Sequence, residues 1–364
     1  MGVKQGMRVV VVGATGNVGT SVVRALGEAP DIASIVGIAR RVPNWSPPKT
    51  TWVRADIGRD SGEEADLVRH FEAADAVIHL AWLIQPSHRP AVTWDTNVLG
   101  SIRVFEAVAR AEVPVLVYAS SVGAYSPGPE DGRPVDESWP THGWPEAAYC
   151  REKAYVERVL DAFELEHPQI RVVRMRPGFL FKEEAAAEQR RLFMGPFLPR
   201  RLIRDTFLPA VVDLPGLRLQ VLHTDDAAEA YRLALGREVR GAFNLAAEPP
   251  VDGDTLAGLL DARKVRIPRL AARSAMATAW HLHLLPPSPQ LLDAALRLPL
   301  MDTTRAQEEL GWRPRHTAVE TLREFLTGLR RGTGMDLTAP LAPKPPGGRP
   351  HETATSGAGS APDP

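Results

Sequence analysis

Cysteine is nearly missing: Cys150 is the single one in 364 residues. No internal disulfide can form, which fits a reducing compartment, and the expected localisation is cytoplasmic. Charge of one sign is missing too, because 43 Lys and Arg face 44 Asp and Glu, a formal net charge of -1. That balance gives no basic footprint for nucleic acid and no pull toward an anionic membrane, so neither partner is expected. Long apolar runs are absent. The stretch Met276–Leu300 is broken by His281, His283, Asp293 and prolines, and no segment is predicted to span a bilayer. No signal-peptide pattern opens the chain, where Lys4 and Arg8 lead into valines and glycines. His281 and His283 lack further ligand-type residues at metal spacing, and no metal is expected.

What is present starts at Val9. Four valines in a row predict a strand buried on both faces. Gly13, Gly16 and Gly19 follow, with Thr15, Asn17 and Val18 between them, and Ser21–Leu26 opens a helical pattern. A strand that turns through glycines into a helix offers bare backbone N–H groups at the positive end of the helix dipole, a site for a pyrophosphate. The plainer alternative is a tight turn. A second strand is predicted over Ser34–Ala39. In nucleotide-binding sheets an acidic residue at that strand end holds the adenosine ribose hydroxyls. Here Ala39 is followed by Arg40 and Arg41. Arginine there suits a ribose 2′-phosphate, so NADP is the expected cofactor, with NAD possible; the alternative is two solvated arginines.

Further strands are predicted at Thr51–Arg54, Ala76–Trp82 and Val115–Ala119, separated by helices near 63–71 and 96–111. The alternation predicts an α/β fold, a Rossmann-type doubly wound parallel sheet. His79, inside an apolar strand, reads as a packed core histidine. The fifth strand runs into Ser120 and Ser121, where open α/β sheets place ligands. Tyr149 and Lys153 lie four apart and share a helix face. A nearby ammonium favours phenolate, which would make Tyr149 a usable acid or base, and Ser121 could hold a substrate oxygen.

The ordered set of motifs resembles the extended short-chain dehydrogenase/reductase superfamily, in its NAD-dependent epimerase/dehydratase branch, from Gly13 to about Pro314. The resemblance implies that Gly13, Gly16 and Gly19 cradle the cofactor pyrophosphate. It implies that Asp56 and Ile57 contact adenine, and that Leu80, Ala81 and Trp82 line the nicotinamide side. Asn97 matches the family's Asn-Val-x-Gly helix start. Ser121, Tyr149 and Lys153 match the catalytic triad, with Lys153 also holding the nicotinamide ribose and depressing the Tyr149 pKa. Arg176-Pro177-Gly178 looks like the segment passing the nicotinamide, which adds Pro177 to the expected cofactor contacts. His223-Thr224-Asp225-Asp226 and Leu310-Gly311-Trp312 resemble the later family signatures.

Departures narrow what the resemblance implies. Ser121-Val122-Gly123 stands where sugar dehydratases of the family carry Thr-Asp-Glu, which argues against dehydration. Arg218 sits about one position from the arginine that holds a sugar-nucleotide diphosphate, which argues against a diphosphate-bearing substrate. The expected function is therefore an NAD(P)-dependent oxidoreductase or epimerase, with hydride transfer at a secondary alcohol or ketone of a small, sugar-like substrate. The alternative is a non-catalytic dinucleotide-binding regulator. Residues 1–178 with 223–245 are expected to form the dinucleotide-binding domain. Residues 179–222 and 246–331 should form a smaller, mostly helical substrate-binding lobe, in which Arg190, Arg191, Arg200, Arg201 and Arg204 offer an anion site or a solvated face. A Pro-, Gly- and Ser-rich tail over 332–364 is expected to be disordered. A homodimer is compatible with the resemblance.

Overall fold

A computed structural model of the chain describes residues 6–59, 63–85, 87–195 and 210–344. The valines end β1 (Met7–Val12) and all four are buried. A strand apolar on both faces must be central, and β1 pairs in parallel with β2 (Ile32–Ala39) on one side and β4 (Ala76–His79) on the other. β3 (Thr50–Arg54) extends the sheet beyond β2. Beyond β4 come β5 (Val115–Ala119), β6 (Arg171–Pro177) and β10 (Gly241–Leu245), all parallel. The order of the seven strands is β10-β6-β5-β4-β1-β2-β3.

Alternating side chains of β1 build two cores. Val9 and Val11 face Val22, Val23 and Leu26 of α1 (Asn17–Glu28). Val10 and Val12 belong to the opposite layer, with α2 (Glu63–Phe71), α4 (Gly100–Arg110) and α5 (Ala148–Glu166). α3 (Pro90–Trp94) and a single π-turn over Asp95–Leu99 lead into α4, so the helix expected over 96–111 is interrupted at Asn97. His79 is fully buried, hydrogen-bonded to Ser101 at 2.9 Å, and burial pushes its pKa down to about 3, so it packs as a neutral core residue.

The second region is mostly helical, as expected, with two small sheets added to it. It contains α6 (Ala186–Gln189), α8 (Gly253–Leu260), α9 (Arg269–His281), α10 (Pro289–Ala295), α11 (Thr304–Glu309) and α12 (Ala318–Arg331), while α7 (Thr224–Gly236) lies on the main sheet. It also holds a three-stranded sheet of β7 (Phe179–Phe181), β9 (Leu219–His223) and β11 (Ala247–Val251), and a parallel pair of β8 (Ala210–Asp213) and β12 (Arg263–Arg266). Pro249 and Pro250 hide β11 from sequence reading, and it is tolerated because β11 is an edge strand. α7 returns to pack against α1, and Ala306, Leu310 and Trp312 enter the main core rather than the lobe. The disorder expected from 332 does not hold over 332–344. There Met335 and Leu341 are buried and joined by a backbone hydrogen bond of 2.9 Å. Residues 345–364 lie outside the described residues. Among the described residues, no helix is long and apolar enough to cross a membrane.

A buried ion network locks β5 to β6. Glu157 on α5 accepts hydrogen bonds from Ser120 (2.6 Å), Arg174 (3.0 Å) and Arg176 (2.9 and 3.0 Å). Burial alone would raise the Glu157 pKa, but its bonds to Arg176, with help from Arg174 and Ser120, hold it at about 2. Glu157→Ala should destabilise the fold by about 3–5 kcal/mol, since Arg176 would be left a buried unpaired charge. Because the folded pKa is depressed, this stability is present above the unfolded value. The gap between wild type and variant, followed by urea unfolding, should therefore narrow as pH falls from 4.5 toward about 2.

Candidate active site

The chain leaves β1 through Gly13 at φ 87°. A Cβ there would lie 2.6 Å from the Ala81 backbone nitrogen, and a Cβ on Gly19 would lie 2.3 Å from the Gly13 carbonyl. Two glycines are thus required for α1 and the end of β4 to close on the turn. Gly16 is different. Its φ of -80° suits any residue, and the nearest atom to an added Cβ is the Gly13 carbonyl oxygen at 3.8 Å. No protein atom demands glycine at 16. The space around Gly16 at the start of α1 leaves room for the pyrophosphate expected there.

The neighbouring expected contacts fall into two groups. Thr15 is buried, Val18 packs on the core, and Asn17 ties the turn to the lobe by donating to the Leu180 carbonyl (3.3 Å) and accepting from Thr224 (3.2 Å). Arg40 and Arg41 are exposed just past β2. Asp56 caps its own loop by accepting from the Gly58 N–H at 3.0 Å, and Ile57 is a buried core residue. Leu80 is held to Val12 by a 2.8 Å backbone bond, which brings Ala81 against Gly13 and Trp82 into the cleft. Asn97 is wholly buried and its amide is spoken for: Oδ1 accepts from the Leu83 N–H, and Nδ2 donates to the Leu83 carbonyl and to Glu152. It positions the loop after Trp82, and both of its amide hydrogens are committed. Pro177 is buried at the end of β6, paired with Leu245.

At the carboxyl end of β5 the side chains of Ser121 and Tyr149 neighbour each other, and Ser121 Oγ accepts from the Gly123 N–H at 3.0 Å. A Cβ on Gly123 would lie 2.8 Å from the Tyr149 ring, so Gly123 makes room for it. Lys153, one turn further along α5, donates to the Ala119 carbonyl at 2.6 Å and places its ammonium 3.4 Å from the centre of the Trp82 ring. Trp82 meets the Tyr149 ring edge-on, with centroids 6.0 Å apart. The structure thus brings Ser121, Tyr149, Lys153 and Trp82 together, and Gly13 and Ala81 connect them to the glycine turn. One expectation is corrected. The Tyr149 pKa is raised in this arrangement, not depressed: burial pushes the phenol up to about 12, with the neighbouring Ser121 pulling it back. Burial also drives the Lys153 pKa well down, with Glu157 and Glu152 pulling it back. The ammonium is turned to a carbonyl and an indole face instead of the phenol.

Sequence reading missed Glu152 and Glu157. Glu157 had a signal, since Tyr149, Lys153 and Glu157 continue one helix face at four-residue spacing. Glu152, which holds Thr93 (2.6 Å) and Asn97 (2.7 Å), had none. Cys150 is buried beside Ala147 and Ala294, and burial pushes its thiol up to about 12, so it is inert. Arg190 and Arg191 brace the lobe by donating to carbonyls of Gly195, Pro340 and Ala342. Arg200, Arg201 and Arg204 lie outside the described residues. Arg218 is exposed and borders a narrow cleft with Val122, Gly178 and Gln220. His283 stacks on His88, which stacks on Trp280, and no group able to hold a metal occurs among the described residues.

A parallel sheet of this order, with a glycine turn after β1 and a Ser-Tyr-Lys set after β5, defines a dinucleotide-binding α/β protein. The chain belongs to the NAD-dependent epimerase/dehydratase family of extended short-chain dehydrogenases, which residues 9–246 match. An uncharacterised protein of Mycobacterium tuberculosis is 26% identical over 292 residues, covering 77% of this chain and 72% of that protein. UDP-glucose 4-epimerase of Yersinia pestis is 36% identical over only 104 residues, 28% of this chain and 30% of that enzyme. Among solved structures, the Thermotoga maritima UDP-glucose 4-epimerase with UDP-glucose gives a TM-score of 0.66 at 20% identity, covering 89% of this chain and 99% of that one. The Thermus thermophilus UDP-glucose 4-epimerase complex with NAD gives 0.63 at 20% identity, with the same coverage. At such identity these likenesses show the fold.

The two kinds of glycine should separate experimentally. Gly16→Ala should leave stability within about 0.5 kcal/mol of wild type and weaken dinucleotide binding. Gly13→Ala should cost about 1–3 kcal/mol of stability from backbone strain alone. Thermal unfolding and calorimetric titration with NAD and NADP check both.

Proposed function

We propose that the protein is an NAD(P)-dependent oxidoreductase or epimerase acting at a secondary alcohol or ketone carbon of a sugar-like substrate, with Tyr149 as acid and base. The observation that carries this reading is the gathering of Ser121, Tyr149 and Lys153 at the end of β5, where Tyr149 and Lys153 lie one turn apart on α5 and Lys153 donates to the Ala119 carbonyl. Gly13, Gly16 and the start of α1 would hold the pyrophosphate of the dinucleotide. A bound nicotinamide supplies the site that accepts or returns hydride. Ser121 Oγ holds the reacting oxygen of the substrate. In the reducing direction Tyr149, protonated as burial favours, gives its hydroxyl proton to that oxygen. In the oxidising direction it must first become phenolate, which needs the Lys153 ammonium closer than its position at Ala119. Epimerisation and simple reduction use the same three side chains.

Two observations bear on the finer choices. Ala39 followed by exposed Arg40 and Arg41 supports NADP, although the family is described as NAD-dependent and the Thermus relative was solved with NAD. The Lys153 arrangement is what favours the second reading, a dinucleotide-binding regulator without turnover. Mass spectrometry of the dinucleotide released on denaturation comes first: tightly held NAD supports an epimerase and overturns the NADP assignment.

Tyr149→Phe should lower turnover by about 100-fold or more while leaving dinucleotide affinity within a few-fold; unchanged biological activity would favour the regulator. Arg40→Ser with Arg41→Ser should weaken NADPH binding about 10-fold or more, the loss of a charge-assisted contact, and leave NADH binding unchanged. Equal effects on the two nucleotides would discard the NADP assignment.

A further inference from the structure

Lys153 and Trp82 make the tightest cation–ring contact in the cleft. The ammonium stands 3.4 Å from the indole centroid, against 5.1 Å from the Tyr118 ring. Its ammonium donates to the Ala119 carbonyl. Of the carboxylates on its own helix, the two that act on its charge bond elsewhere: Glu152 to Thr93 and Asn97, Glu157 to Ser120, Arg174 and Arg176. No ion pair therefore fixes this buried cation among the described residues, and the π face takes the place of a counter-ion. Such contacts reach about 2 kcal/mol when desolvated. Trp82 is itself unusual, because its Nε1–H is buried without a hydrogen-bond partner. Leaving a buried donor unpaired is costly, and native interiors rarely do so. Both features lie at the ring that touches Tyr149 edge-on.

We propose that Trp82 is a positioning residue for Lys153: its ring seats the ammonium against the end of β5, and a ribose hydroxyl of the bound dinucleotide must compete with the indole for that ammonium before Tyr149 feels its charge. The inference rests on the dinucleotide reading above for its second half only. It makes activation of the phenol conditional on the cofactor, because the charge that favours phenolate is otherwise held by an aromatic face. Trp82 acts through Lys153 and needs no contact with the substrate.

The test uses nuclear magnetic resonance of protein labelled with 13C at the lysine ε carbon, which is tractable because the chain has six lysines. Lys153→Arg identifies the Lys153 signal. In wild type without added nucleotide, the indole ring current should displace the Lys153 ε-proton signal strongly upfield. Trp82→Leu should return it to the ordinary lysine position, and Trp82→Phe should leave a smaller displacement that serves if the leucine variant does not fold. An ordinary Lys153 position in wild type, or a displacement that survives these substitutions unchanged, overturns the seat. Saturating NAD or NADP should then move the wild-type signal back toward the ordinary position. Nucleotide binding that leaves the signal in place overturns the competition. If neither nucleotide binds, the functional proposal fails, while the seat is still decided by the Trp82 variants. A second readout is phenolate absorbance, taken as the difference from Tyr149→Phe in each background. Without nucleotide, Tyr149 should ionise at lower pH in Trp82→Leu than in wild type. Because loss of the ring also uncovers Tyr149, the shift is read against the same substitution in a Lys153→Met background: a merely structural tryptophan gives the same shift in both, and that result, or an equal or higher midpoint in Trp82→Leu, overturns the proposal.

Discussion

Glu157 is a carboxylate with no exposed surface, and the working end of the sheet depends on keeping it charged. It draws Ser120 from β5 and Arg174 and Arg176 from β6 onto one face of α5. Arg176 carries the lock outward, donating to the Tyr125 hydroxyl at 2.9 Å and to the Glu137 carbonyl at 3.0 Å. Ser121 follows Ser120 directly, and Lys153 precedes Glu157 by one turn. The positions of Ser121 and Lys153 are therefore tied to this ion network. Replacing such a network with apolar side chains can be neutral for stability. Here it would release the strand end that carries Ser121.

The glycine turn has a complementary task. Gly13 and Gly19 let three pieces of backbone meet: the end of β1, the start of α1 and the segment after β4. That meeting delivers Trp82 to Lys153. A further chain of polar contacts leads from this point to the lobe. Asn97 holds Leu83, Gln85 donates to the Leu192 carbonyl at 3.2 Å, and Ser87 donates to the Pro286 carbonyl at 2.6 Å. The loop after β4 thus connects the cofactor side of the cleft to the second region.

Much of the sheet was legible because buried parallel strands write themselves as short apolar runs between helices. β5 and α2 fall where the sequence places them, and β1 and β4 differ only at their ends. That Ser121, Tyr149 and Lys153 gather at the end of β5 was legible through order and spacing: glycine turn, strand-end serine, then Tyr149 and Lys153. Three things were not. Pro249 and Pro250 conceal β11. The ammonium faces Trp82, about seventy residues earlier, a contact no spacing rule reaches. Asn97 resembles a ligand residue in sequence, yet its amide is consumed by Leu83 and Glu152, which only the folded chain brings to it.

Trp312 shows how late the first half of the chain is completed. It is almost wholly buried in the same core as Val9 and Val22, and its indole N–H donates to the Asp226 carbonyl at 2.8 Å. During synthesis, then, the glycine turn and its strand emerge long before the residue that closes their hydrophobic layer. A nascent chain stopped short of Trp312 exposes that layer to solvent, and the nucleotide-binding half cannot finish as an independent N-terminal unit in the way domains commonly do on the ribosome. The order in which this protein is made and the order in which it can become stable are different, and the interval between them is when it depends on protection from aggregation.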